Sequence, residues 1–537
     1  MLWIERLACS VVQRLTLYLR FPIRREHFKG MKMTKNVKWP VALWMISGIT
    51  ASMLSPLPSF AQDKANVLLD LRLAATLHSA GFTGRIEKTL EKRLQRPVNK
   101  PLAALGKLIF FDNIQGLHDD NSCAGCHAPT TGFGDTQSIA IGVDNNGIVG
   151  PNRAGPRNQR RTPSVINSAF FPKLMWNGRF SSVSGDPFDN SRGFLFPLPE
   201  GGTKFPPNDP EIKHLLAAQG FVPQTELVEM SGFTGTRGTI GPQFDAFDDG
   251  HGTALPLPDN SGFRNEPLRE LVLARFNANP GYRMRFGAIF PAVQNGGAVT
   301  FSMIGQALAE FQISLTFANA PIDRFARGEW HAMTHSQKRG ALLFFGKAGC
   351  AQCHAVAGQS NEMFSDFKMH TIGVPQIAPL FGVGLGNVPF DGAAQNEDFG
   401  LEQFTGNTGD RYRFRTSPLR NVALQPTFFH NGAFTRLEDA VRHHLNVFQS
   451  VRRYNPLVAG IDPDLTQQIG PVEPVLARID PLIARPIHLT PKEFKNLVTF
   501  VRDGLLDPRA APEHLCALIP KAVPSGMPVA TFEGCRQ

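Results

Sequence analysis

Apolar residues recur at helical spacing in separate blocks along the chain, and each block predicts a helix. Val67-Leu-Leu-Asp-Leu-Arg-Leu73 and residues 86–94 give helical patterning to residues 62–100, a segment expected to wrap a domain. Leu105-Gly-Lys-Leu-Ile-Phe-Phe-Asp112 reads as an amphipathic helix, and residues 268–276, 301–317, 335–345, 437–447 and 491–505 read as further helices. Thr490-Pro491 ahead of Glu493 is a helix start, with a capping hydroxyl, a proline in the first turn and a returning carboxylate. No stretch carries the two-residue alternation of a half-buried strand. Residues 130–165, rich in Gly, Asn and Arg, read as loop. The Pro/Gly/Asp-rich stretches 183–215 and 231–265 read as insertions rather than core. The fold class expected is mainly α.

Length and charge narrow this picture. A chain of 537 residues is too long for one core, so two or more domains are expected. Residues 32–61 read as a secretory signal: Lys32, Lys35 and Lys38 form the basic start, residues 41–54 the apolar run, and Ser59-Phe60-Ala61 a small-x-small cleavage site. The apolar run is too short to span a membrane. Residues 1–30 lie upstream of this signal, so translation is expected to begin at Met31 or Met33; the competing reading is an amphipathic N-terminal anchor. The leader, 1–61, holds seven of the ten net positive charges, which leaves about +3 on the rest. That balance gives no case for nucleic acid.

Candidate chemistry enters with the cysteines. Of seven, Cys9 lies in the leader, and Cys516 and Cys535 are placed to pair in an oxidising compartment. The other four form Cys123-Ala-Gly-Cys126-His127 and Cys350-Ala-Gln-Cys353-His354. Cys-x-x-Cys-His is the attachment pattern for c-type haem. Two cysteines one helical turn apart can form thioethers to the two vinyl groups of one porphyrin, and the adjacent histidine is then held beneath the iron. The competing readings are a redox dithiol or half of a zinc site. A zinc site would need both pairs around one metal, and they lie over two hundred residues apart, each with its own histidine. Two covalent haems are expected, one in a domain over 62–320 and one in a domain over 321–510, followed by a tail, 511–537. Pro321-Ile-Asp-Arg-Phe-Ala-Arg-Gly328 reads as the crossover between them. Haem of this type is attached outside the cytoplasm, which agrees with the leader and with a periplasmic location.

At this point the chain resembles the bacterial di-haem cytochrome c peroxidases and their MauG-type relatives. The resemblance runs from Leu105 to Leu505. It rests on Leu105-Gly-Lys-Leu-Ile-Phe-Phe-Asp112, Arg157-Asn158 with Thr162-Pro-Ser-Val-Ile-Asn167, and Trp176-Asn-Gly-Arg179. In the second half it rests on Lys338-Arg-Gly-Ala-Leu-Leu-Phe-Phe345, Phe414-Arg with Leu419-Arg-Asn-Val-Ala-Leu424, and His430-Asn-Gly432, besides the two haem motifs. It implies two class-I cytochrome c-like domains with the haems facing a shared interface, and peroxide reacting at the N-terminal haem. The family's peroxide-site spacing recurs as Gln219, Pro223, Glu229 and Met230, although the gap from Trp176 is longer than usual. The resemblance implies Glu229 as general acid/base, Gln219 as the group orienting peroxide, and Trp176 as the bridge between haems. Read without it, Glu229 is a surface carboxylate and Trp176 a core aromatic.

Two positions depart from the family pattern. Where peroxidases that need reductive activation carry a capping histidine, this chain has Ile141-Gly142-Val143, so the first haem is expected to keep an open face. Where the second haem takes a Met or Tyr, counting from His430 lands on His444, next to His443, and His354/His444 ligation is expected. The resemblance also implies calcium, at Asn158 and the carbonyls of Gln425 and Thr427. It implies hydrogen peroxide as substrate and a small periplasmic redox protein, a c-type cytochrome or a cupredoxin, as electron donor, and it leaves a homodimer open. Two alternatives stand beside the peroxidase: a MauG-like oxidase acting on a protein or organic substrate, and a plain electron carrier in which Met175 or Met230 closes the first haem.

Overall fold

The computed structural model describes residues 60–198, 200–201, 204–232, 255–379 and 390–536. The basic start and apolar run of the expected leader, and most of the 231–265 insertion, lie outside these residues. Helices α1 (Phe60–Ser79), α2 (Lys100–Phe110), α3 (Asn265–Ala278), α4 (Phe301–Ser314), α5 (His335–Phe345), α6 (Leu437–Leu445) and α7 (Pro491–Thr499) stand where the apolar spacing places helices. The chain is mainly α; the described strands are two or three residues long and form small separate sheets. No described helix is long and apolar enough to cross a membrane.

One arrangement is built twice. α2 and α5 each lead into a Cys-x-x-Cys-His, and each carries a glycine four residues before a Phe-Phe pair: Gly106 with Phe110-Phe111, Gly340 with Phe344-Phe345. α2 packs on α4 at Gly106, where a Cβ would lie 1.8 Å from the Ala307 carbonyl oxygen; α5 packs on α7 at Gly340, where a Cβ would lie 2.0 Å from that of Asn496. Backbone meets backbone at both crossings. The aromatic ring beside each crossing then fills a core. Phe110 sits edge-on to Phe311 and Phe133 at 5.1 and 5.9 Å, and Phe344 to Phe500 and Phe364 at 5.4 and 5.9 Å.

Two apolar clusters grow from these crossings, one around Phe110, Phe133 and Phe311, the other around Phe344, Phe364 and Phe500. Chain order and packing part company at both ends. α1 buries Leu73 and Leu77 in the second cluster, and its Asp70 accepts a 2.5 Å ion pair from Lys338 of α5. The C-terminal tail joins the first cluster through Leu515, Val523 and Phe532. A Cys516–Cys535 disulfide closes the tail on itself. Thr531–Phe532 pairs in parallel with Ile148–Val149, and the Glu533 carboxylate accepts from the backbone N and Nδ2 of Asn152 at 3.0 and 2.7 Å.

The 183–215 stretch is irregular in backbone, as expected, but it is core rather than a peripheral insertion. Phe194, Phe196, Phe205 and Ile212 are buried in the first cluster. Rings from Phe180 through Phe196, Phe205 and Phe221 to Phe301 follow one another at 4.9–5.0 Å between centroids. Aromatic rings spaced by loop residues carry no helical or strand period, so the pattern hid them.

A methyl group at either crossing must push two helices apart. Gly340→Ala should therefore destabilise the protein by about 1–3 kcal/mol, read as a lower denaturation midpoint; an unchanged midpoint would show that the crossing tolerates a side chain.

Candidate active site

Two cavities open over the two Cys-x-x-Cys-His segments. Cys123, Cys126 and His127 border the first, together with Trp176, Gln219 and Glu229. Cys350, Cys353, His354 and His444 border the second. A wall made of Arg161, Pro163, Ser164, Phe171, Trp176 and Arg415 belongs to both.

The two motif histidines are set identically. His127 Nδ1 lies 3.0 Å from the Phe133 carbonyl oxygen, and His354 Nδ1 lies 2.9 Å from that of Phe364. Each carbonyl needs a proton donor, which places the hydrogen on Nδ1 and leaves the Nε2 lone pair for a ligand. Phe133 and Phe364 both adopt left-handed backbone, with φ of 53° and 57°, an uncommon state for a bulky residue, held here by the aromatic core around them. Burial pushes both imidazoles down to about 4, so they are neutral at pH 7. Burial also pushes the thiols of Cys123, Cys126 and Cys350 up, to about 12, 11 and 12. That is opposite to the low-pKa thiolate of a redox dithiol. Among the described residues the one close trio of metal-ligating side chains is Cys353, Asp366 and His370, and neither Cys-x-x-Cys gathers the four donors of a structural zinc. Paired cysteines, a histidine with a free Nε2 and an adjoining cavity fit a covalently held haem at each motif.

The faces opposite the two histidines differ. In the second cavity the His444 ring centroid lies 6.1 Å from that of His354. Two imidazoles sharing one metal at ~2 Å from each nitrogen have ring centres ~6 Å apart, so the gap is that of one ion. His444 Nδ1 lies 2.8 Å from the Ala440 carbonyl oxygen one turn back on α6, which again leaves Nε2 to the cavity. His443 is committed elsewhere: Nδ1 to Ser450 Oγ at 3.1 Å and Nε2 to the Ile372 carbonyl oxygen at 2.8 Å.

In the first cavity the lining groups are Gln219, Glu229, Met175 and Met230. Glu229 sits on a π-helical turn, Leu227–Ser231, a distortion that turns its side chain relative to a regular helix. Its carboxyl is held well above the usual carboxylate range, first by burial, then by the neighbouring Glu226 carboxylate, with Arg179 opposing. Glu226 is itself tied to Arg179 by a 3.0 Å ion pair. Asn121, two residues before the first cysteine of the motif, fastens this turn to it: its Nδ2 donates to the Glu229 carbonyl oxygen at 2.7 Å. Met230 Sδ stands 4.0 Å from the same Nδ2, which is also 3.8 Å from Cys126 Sγ, and so lies at the cysteine rim. Ile141-Gly142-Val143 runs behind the turn, with Val143 N donating to the Val228 carbonyl oxygen at 3.2 Å. Trp176 is buried in the shared wall, and its Nε1 donates to the Arg161 carbonyl oxygen at 2.7 Å.

Of the three positions expected to hold calcium, Asn158 borders the first cavity, Gln425 borders the second, and Thr427 is buried. Arg179 and Glu226 were missed in the sequence. Arg179 stands in the quoted Trp176-Asn-Gly-Arg179, but nothing in the spacing links it to Glu226.

Residues 100–331 match the family model for di-haem cytochrome c peroxidase. The cytochrome-c peroxidase IdrP1 of Pseudomonas sp. (strain SCT) is 26% identical over 361 residues, which cover 64% of this chain and 72% of that protein. The methylamine utilization protein MauG of Methylorubrum extorquens is 28% identical over 351 residues, 65% of this chain and 70% of that one. A crystal structure of a MauG-like protein associated with microbial copper homeostasis superposes over 77% of this chain and 92% of its own, at 21% identity and a TM-score of 0.49. Residues 100–331 thus match the di-haem cytochrome c peroxidase family, and the chain is similar to oxidoreductases named cytochrome-c peroxidase and MauG, a family with two haem cofactors.

Proposed function

We propose that the protein is a periplasmic di-haem peroxidase in which hydrogen peroxide enters the cavity over His127, while the cavity over His354 relays electrons from a small redox protein. The observation that carries this reading is the inequality of the two cavities. A carboxyl and an amide line the cavity that His127 borders, whereas a second imidazole lies in the cavity of His354, 6.1 Å away between ring centroids. Haem thioether-linked to Cys123 and Cys126, and to Cys350 and Cys353, supplies the iron and the redox equivalents when bound. His127 would hold the iron at the first site, and His354 and His444 would hold it at the second. The wider architecture is read as two cytochrome c-like units, 62–320 and 321–510, with α1 crossing to the second and the tail returning to the first.

The chain's own part in the reaction is proton handling and placement. Reducing hydrogen peroxide to two waters takes two electrons and two protons. Cleaving the O–O bond requires a proton to leave one oxygen and arrive on the other. Glu229 can do both because its raised proton affinity brings its two protonation states close in energy near neutral pH. Arg179 and Glu226 set that affinity from opposite directions. Gln219 offers the amide that orients the peroxide. Trp176, whose indole stands in both cavities' walls, is the oxidisable side chain through which charge crosses between them.

A MauG-like oxidase acting on a protein or organic substrate is the second reading. Val143, which cannot close the first site, favours it. The electron-carrier reading needs a thioether opposite His127; the position of Met230 at the cysteine rim speaks against that residue, which leaves Met175 as its candidate. Steady-state turnover of peroxide with a reduced cytochrome, set against turnover of organic donors, separates the first two.

Three outcomes are expected. Electron paramagnetic resonance of the oxidised protein should show one high-spin and one low-spin ferric haem. His444→Ala should convert the low-spin signal to high-spin while His443→Ala leaves it; two low-spin signals in the resting protein would remove the open site. Glu229→Gln should lower peroxide turnover by about 10²–10⁴-fold with both haem spectra retained.

A further outcome concerns stability. A buried carboxyl whose folded pKa lies above its unfolded value costs stability as pH rises between the two. Wild type should therefore lose stability from about pH 4.5 toward neutrality relative to Glu229→Gln, and the two should converge in acid. Denaturant melts of both proteins at acid and neutral pH check the sign.

A further inference from the structure

Five arginines border the two cavities, and they divide into two kinds. Arg160, Arg179 and Arg420 each have a carboxylate partner: Asp398 at 2.6 Å, Glu226 at 3.0 Å and Asp323 at 2.7 Å. Arg161 and Arg415 have no carboxylate within ion-pair distance among the described residues. Both are buried, at 5% exposure, and both stand in the wall common to the two cavities. Burial pushes each guanidinium down to about 10; a distant Asp135 partly offsets this for Arg161, and nothing offsets it for Arg415, whose neighbour Lys173 is another cation. A buried charge without a partner is a large penalty that proteins meet with a counter-ion.

These two arginines occupy one place in a repeated pattern. Arg161-Thr-Pro-Ser-Val-Ile-Asn167 and Arg415-Thr-Ser-Pro-Leu-Arg-Asn421 each run from arginine to an asparagine in left-handed backbone, with φ of 62° and 60°. Each is followed by an x-Asn-Gly step, at Trp176 and at His430. The backbones exchange bonds reciprocally: Arg161 N donates to the His430 carbonyl oxygen, and Arg415 N to that of Trp176, both at 2.8 Å. The two halves thus bring equivalent cations to one wall. Their side chains are steadied by neutral acceptors alone. Arg415 Nε donates to the Met175 carbonyl oxygen at 3.0 Å, Arg161 Nη2 donates to the Gln425 side-chain oxygen, and Arg161 Nε has no partner.

We propose that Arg161 and Arg415 are the anchoring cations for the haem propionates, and that each of them acts on both haems because it borders both cavities. A carboxylate is the anion a guanidinium fork fits best, and a haem at each motif brings two of them. The cations pay back their burial only when the haems are in place. Their fixed positive charge also favours the reduced, less positive iron in both sites. This inference rests on the two-haem reading but not on the role of Glu229.

The test uses the haem-loaded protein with Arg161→Gln, Arg415→Gln and Arg415→Lys. Haem content, read by mass of the intact chain, reports the cofactor assignment separately: wild type without two haems overturns that assignment itself. With haem present, each Gln variant should shift the propionate bending bands of the resonance Raman spectrum. Each should also lower both midpoint potentials in a spectroelectrochemical titration, although only one residue has changed. Arg415→Lys keeps the charge and loses the fork, so it should shift the bands while holding the potentials near wild type. If a Gln variant fails to accumulate, the Lys variant decides through its bands. Unshifted bands, or potentials that move at one haem only, overturn the proposal.

Discussion

An imidazole can offer a lone pair from one nitrogen only if its proton is held at the other, and this protein holds that proton twice with a backbone carbonyl. The Phe133 and Phe364 oxygens do the holding. Each of those phenylalanines is kept in left-handed backbone by the ring cluster around it, and each cluster exists because a glycine lets two helices touch. The chain of cause runs from Gly106 and Gly340, through the helix crossings and the packed rings, to the tautomer of His127 and His354. His443 is the counter-example within the same molecule. Both of its nitrogens are engaged by protein oxygens, so it packs and cannot ligate, while its neighbour His444 can.

Duplication supplies the scaffold, and divergence on the far side of each cavity supplies the chemistry. The helix, the cysteine pair, the histidine, the Arg-to-Asn segment and the x-Asn-Gly step all recur. What does not recur is the group that lines the rest of each cavity. A π-helical turn delivers Glu229 on one side, and a regular helix delivers His444 on the other. A carboxylate in a low-dielectric site keeps its proton more readily, whereas a neutral imidazole there closes a coordination position. The same burial therefore leaves a carboxyl that holds its proton beside one site and an unprotonated imidazole beside the other. Trp176 and His430 hold corresponding steps of the repeat, yet the indole lies in both walls and the imidazole is stacked on Phe414 at 3.6 Å.

Much of this was legible in the sequence, for reasons that differ from residue to residue. Helix positions followed from apolar spacing, and the cysteine motifs from a chemistry that tolerates one arrangement. Glu229 and Gln219 were found only through the spacing of a resemblance, since a lone glutamate or glutamine says nothing by itself. The Arg179–Glu226 pair was invisible because it joins residues forty-seven apart through a loop that has no period. Arg161 and Arg415 were passed over because a buried cation looks like any other arginine until its missing partner is noticed. The aromatic ladder through 183–215 was taken for periphery because Pro and Gly around it signal turns, and turns can be buried when their rings are. The excursion of α1 to the second cluster and of the tail to the first is tertiary choice, which local pattern does not encode.

The tail has a bearing on maturation. A ribosome delivers residues 141–155, beside the first cavity, long before residues 516–535, yet the later segment clamps the earlier one by strand pairing, by Glu533 on Asn152 and by its own disulfide. The first site is thus left unlatched on one flank until the downstream end of the chain has emerged and its cysteines have been oxidised. Loading a prosthetic group into a half-finished pocket is easier than into a finished one, so the order of synthesis itself leaves an interval for assembly before the closing segment arrives.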